Sequence, residues 1–248
     1  MTSLALVRAE GRKLTSTKLP WAFLAVLVGV AGLDAAVVAF GTDMGGSKAF
    51  LATAADQQSL MAFAFNAMIG TALFGATAAA REYGHATVVP TFLISPRRHR
   101  AVLAQLAAVL AAGAILALVG QALVVAGVAV ALPSTQYGFL VPVADLTRIL
   151  AASALAGGAG AVLGAGLGAV IRNVGGAVTS VVLLLFVLPP LAAQLLPDAA
   201  PWIPTGLFAA LSGTGSEVRP WAALLAVTVW ALVPAGAGLL AVHRRDVV

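Results

Sequence analysis

Asp34 is the one ionisable side chain set inside a long apolar stretch of this sequence. A carboxylate at the centre of a bilayer costs about 3 kcal/mol or more, so such a residue needs a use. A proton or ion relay requires several such groups along one path, and Asp34 has no companion. The residue is therefore read as facing a wet vestibule or a partner helix, with a place on a substrate path as the alternative. Asn66, Gln121 and Gln194 also lie within apolar runs, where interhelical hydrogen bonding is the usual role of an uncharged polar side chain. Asn66 shares with Asp34 the candidacy for the substrate path. The sequence contains no H-E-x-x-H, G-x-S-x-G or G-x-x-x-x-G-K-[ST] pattern and no cysteine. His85, His99 and His243 lack the spacing of metal ligands. No catalytic residue, bound cofactor or metal is expected, and any work against a gradient must draw on energy from another protein.

Two further groups stand out. The segment 81–100 opens on acidic Glu82, turns apolar at Val89, Phe92, Leu93 and Ile94, and ends in Arg97, Arg98 and Arg100. An apolar patch beside charges on a loop suits protein docking, while a basic connector anchored to lipid head groups fits the same composition. Both readings stay open. Ala156, Gly160, Gly164 and Gly168 recur at every fourth position and form a small-residue ridge on one helical face. Such a ridge lets two helices approach closely, whether within one chain or between subunits.

The elements that must position these residues follow from composition. Of 248 residues, 61% are hydrophobic and 9% charged, with mean hydropathy +1.02. A soluble domain is roughly half apolar and a quarter charged, so the solvent for this surplus is lipid. About 20 helical residues cross a bilayer core. Six runs qualify, over 22–40, 60–80, 101–132, 150–171, 177–196 and 221–242, in a single transmembrane domain spanning 1–248. The expected fold is an all-α integral membrane protein. Residues 1–19 form an amphipathic helix in the interface, with Leu4, Val7, Gly11 and Leu14 on one face and Arg8, Arg12 and Lys13 elsewhere. An even number of spans puts both termini, the 81–100 loop and the 172–176 turn on one side. That side holds eleven Lys and Arg residues against three on the other, which makes it cytoplasmic. The basic residues flank the spans and form no nucleic-acid patch, so membrane lipids are the expected partners and a cell (plasma or inner) membrane the location.

The 81–100 loop resembles the cytoplasmic loop between the second and third spans of ABC-2 type transporter permeases. There, a Glu after span two leads into a Gly/Thr-containing stretch, a Pro and an Arg cluster, and Glu82, Thr87, Pro96, Arg97 and Arg98 follow that order. Ala9-Glu10-Gly11-Arg12-Lys13-Leu14 with Pro20-Trp21 resembles the family's connecting helix, and residues 197–220 resemble its short re-entrant external segment. The resemblance implies a permease subunit that is not itself an enzyme, paired with a second copy or a paralogue. A separate ATPase subunit would then bind ATP, and Glu82, Thr87, Val89, Phe92, Leu93 and Ile94 would couple to it. It also implies export of a hydrophobic or amphipathic compound. A non-transporting scaffold, an assembly or immunity factor, and a secondary transporter are the alternatives.

Overall fold

The computed structural model describes residues 3–43, 46–84 and 98–244. Helices dominate these residues, and no strand occurs among them. Helix α1 covers Ser3–Thr15. The first span is α2, Leu19–Phe40, opened by Pro20 in its first turn, where a missing N–H costs nothing. Lys48 closes its far end, donating from Nζ to Val38 O at 2.9 Å and Ala39 O at 2.5 Å. An ammonium there satisfies orphan carbonyls and the helix dipole together.

The second span differs from a continuous 60–80 helix. It consists of α3, Ala54–Met61, and α4, Ala64–Gly84, with a break at Ala62 and Phe63. Helix α3 starts with a capping box in which Thr53 Oγ1 accepts from Asp56 N and Asp56 Oδ2 accepts from Thr53 N, both at 3.1 Å. The third span, α5, Arg98–Ala131, is 34 residues long, or about 51 Å, so it outruns the hydrocarbon thickness. The fourth, α6, Val143–Ile171, starts seven residues before the apolar run at Leu150. Only Arg172 and Asn173 separate it from the fifth span, α7, Val174–Val182. The turn read as 172–176 is shorter because Arg172 takes a left-handed conformation (φ 60°) as the stop. Asn173 then caps the next helix by accepting from Gly176 N at 3.0 Å.

The fifth span continues through a π-helical turn, Leu183–Val187, into α8, Leu188–Leu195. Pro189 and Pro190 follow directly. In a regular helix their rings would press on the carbonyls four residues back, and a widened turn relieves that clash. The 197–220 stretch holds a 3-10 turn, Pro197–Trp202, and α9, Pro204–Ser212, too short to cross a bilayer. The sixth span is α10, Pro220–Arg244.

The centre of the bundle is α6, and its glycines decide what surrounds it. A Cβ on Gly160, Gly164 or Gly168 would collide with the carbonyl oxygens of Met68, Ala72 and Ala76 in turn. Contacts that advance together along both chains mean that α4 and α6 run parallel. Gly157 meets Gly113 on α5, and Gly166 meets the backbone of Pro234 on α10. Backbone-to-backbone approach replaces side-chain interlock on three sides of one helix, as lipid-embedded packing favours. By contrast, α2 buries only Ala31 and Val38 and shows most of its surface outward.

Candidate functional site

Helix α1 and the last turn of α10 lie at one end of the bundle. There His99, at the start of α5, stacks on His243, at the end of α10, with ring centroids 6.2 Å apart. At the same end the last turn of α4 is held from two directions. On one side, Lys13 of α1 places Nζ 2.7 Å from Glu10 Oε1 and 3.5 Å from Glu82 Oε1. Gln105 of α5 is within hydrogen-bonding reach of the same Glu82 carboxylate. On the other side, the Arg172 guanidinium lies over the Tyr83 ring, 5.0 Å from its centroid. Its Nη2 also donates to Ala241 O on α10 at 3.4 Å. Two consecutive residues thus link α4 to α1 and α5 in one direction and to α6 and α10 in the other.

Helix α1 reaches this cluster by packing on the bundle. Leu6 and Glu10 are its buried residues, and Leu14 joins Ala79, Val109, Ala161 and Ala165 in an apolar cluster. The face expected to carry Leu4, Val7, Gly11 and Leu14 is therefore rotated, and Leu4 is exposed. The physical reason is Glu10. An acidic side chain turned inward beside Glu82 needs a shared cation, and Lys13, one turn on, supplies it. Burial alone lowers the Lys13 pKa, but its hydrogen bond to Glu10 and the charges of Glu82 and Glu10 outweigh that effect and leave it raised.

Glu82 is thus the one coupling candidate that can be placed, and it faces Lys13 of its own chain. Thr87, Val89, Phe92, Leu93 and Ile94 lie outside the described residues. No protein-family model matches this chain, and no curated protein matches it.

A second polar centre lies deep in the bundle, at the break between α3 and α4. Gln121 is fully buried, donating from Nε2 to Met61 O at 2.8 Å. Its Oε1 accepts from Ser153 Oγ at 2.6 Å and from Phe63 N at 3.4 Å. One amide therefore satisfies backbone groups on both sides of the break, which lipid could not do. Gln194, by contrast, is exposed. Asp34 is half-buried and Asn66 exposed, and neither side chain makes a hydrogen bond or ion pair among the described residues.

At the opposite end Arg148 donates to Leu211 O and Ala210 O, both at 2.8 Å, and Gln58 donates to Ser212 O at 2.9 Å. The carbonyls ending α9 are thereby tied to α6 and α3. Nothing in the spacing of Arg148 or Gln58 announces this role. Among the described residues no group of three or more His, Asp or Glu is arranged to hold a metal.

Proposed function

We propose that this chain is the membrane subunit of an ATP-driven ABC-2 type exporter, moving a hydrophobic or amphipathic compound outward. A separate ATPase subunit binds and hydrolyses ATP, and the permease pairs with a second copy or a paralogue. The supporting observation is the Lys13 bridge between Glu10 and Glu82. It joins the N-terminal helix to the end of α4 that leads into residues 85–97, where a push from below would have to enter the bundle. Tyr83 and Arg172 give the same end a second attachment toward the fourth and sixth spans. A docked ATPase dimer closing on nucleotide would favour one arrangement of these helices over another, which is all that coupling requires.

On this reading α1 is the connecting helix, and residues 197–220 form a short re-entrant segment on the outer side. Phe92 or Leu93 fills an apolar pocket on the ATPase. Asp34 and Asn66 are the proposed substrate contacts, as polar side chains within spans whose hydrogen bonding no described neighbour uses.

The test is co-expression with an ABC ATPase encoded beside the gene, followed by co-purification in detergent and nucleotide hydrolysis after reconstitution. Stoichiometric recovery is expected. Loss of an apolar interface anchor costs about 2 kcal/mol or more, and a rim ion pair about 1 or less. Leu93→Ala should therefore weaken association more than Glu82→Gln, whose charge Lys13 already engages. Full retention of binding and coupled hydrolysis in a Glu82/Phe92/Leu93 triple alanine variant would overturn the proposal.

A further inference from the structure

At the end of the bundle opposite the termini, a cavity of about 400 Å³ opens between the 197–202 turn and the start of α10. Asp198, Glu217, Arg219, Trp202 and Trp221 are among the residues that line it. The chain has only four tryptophans and nine acidic residues, so half of the former and two of the latter gather at one cavity. Trp230 adjoins them, donating from Nε1 to Trp202 O at 3.3 Å. Interfacial preference explains tryptophans at a helix end. It does not explain why both signs of charge line the same hollow.

Among the described residues, the side chains of Asp198, Glu217 and Arg219 enter no ion pair or hydrogen bond. Residues of both signs therefore line the cavity without pairing with each other. A simple cation would meet Arg219, and a simple anion would meet two carboxylates. A ligand carrying both an ammonium and a phosphate offers a partner to each sign of charge. Its ammonium would sit against the carboxylates and an indole face, and its phosphate would accept from the guanidinium. The volume lies within the range of small-molecule sites. A second cavity of about 330 Å³ borders the same segment at Ile203 and Thr205, with Phe186, Pro189 and Pro190 as further walls. It offers an apolar surface for an acyl chain.

We infer that the Asp198–Glu217–Arg219 cavity binds a zwitterionic head group of the phosphocholine or phosphoethanolamine kind. The site is at the far end from the coupling cluster and stands whether or not an ATPase binds there.

The test uses the purified full chain in maltoside micelles, with tryptophan emission followed during titration. The probes are glycerophosphocholine, choline, inorganic phosphate, a short-chain diacyl phosphatidylcholine and the matching phosphatidylglycerol. A saturable emission change is expected with the zwitterions, at concentrations about fivefold below those needed for choline or phosphate alone, the factor that one further exposed charged contact supplies. Asp198→Asn with Glu217→Gln should weaken binding of phosphocholine compounds and choline alike. Arg219→Gln should reduce phosphocholine binding to the level of choline. Response to glycerophosphocholine would identify a free head group as sufficient, and response only to the diacyl compound would identify a bilayer lipid; either supports the site. All three charged side chains are exposed, so the variants should elute like the parent. The absence of any saturable change, an equal response to phosphatidylglycerol, or unchanged affinity in the Asp198/Glu217 variant would overturn the inference.

Discussion

Lys13 Nζ lies 3.5 Å from Glu82 Oε1, so an ammonium on the first helix is bound to the last turn of the helix that leads into residues 85–97. The same ammonium holds Glu10 at 2.7 Å, and Glu10 is buried. One positive charge therefore serves two carboxylates, and removing it takes a counterion from both.

Lys13→Met should accordingly destabilise the attachment of α1. Breaking a fully buried pair costs about 3–5 kcal/mol. Lys13 keeps 41% of its side chain exposed, so water reduces the cost to about 2 kcal/mol. The Glu10→Gln/Lys13→Met double variant should recover part of the loss. Because the folded pKa of Lys13 is raised, its contribution is fully present below about pH 10.4 and is lost only as pH rises through the higher folded value. Detergent-phase denaturation and limited proteolysis near residue 16 check both points. Equal stability of Lys13→Met and parent would show that the bridge contributes nothing.

Gly164→Ala should destabilise the bundle by about 1–3 kcal/mol, because the added methyl meets the Ala72 carbonyl and two helix backbones must separate. Gly70→Ala is the matched control. No atom lies within 4 Å of its added Cβ, and replacing a helical glycine there should gain about 0.5–1 kcal/mol. Opposite signs for the two variants in thermal melts are the expected outcome.

Gln121→Leu should cost more than Ser153→Ala. The first strands the Met61 carbonyl and the Phe63 amide at the break, at about 1–3 kcal/mol for each unsatisfied group. The second removes one hydroxyl bond, worth about 0.6 kcal/mol within a membrane. Unfolding titrations of the two variants, read side by side, decide the order.

Single cysteines at positions 48 and 90 test orientation on a background that has no cysteine of its own. With the basic end cytoplasmic, an impermeant maleimide should label position 48 on intact cells, and position 90 only after permeabilisation. The reverse pattern would invert the topology.

Much of the fold follows from the order of residues alone. The six helices among the described residues that are long and apolar enough to cross a membrane are written in composition, because apolar excess and a run of about 20 residues are local properties. The Gly160, Gly164 and Gly168 ridge is equally local, since a fourfold spacing puts small residues on one face whatever they touch. Its partner is a tertiary matter: only the packed bundle sets the ridge against Met68, Ala72 and Ala76 of the same chain. The break at Ala62 and Phe63 was likewise invisible, because no proline or glycine marks it. It persists because Gln121, distant in sequence, supplies the hydrogen bonds the interrupted backbone lacks. The inward turn of Glu10 has the same origin. Periodicity assigns an acidic residue to the wet face, and only the nearness of Lys13 and Glu82 in the assembled bundle makes burial tolerable. A sequence specifies which groups need partners; the fold decides which distant side chain meets the need.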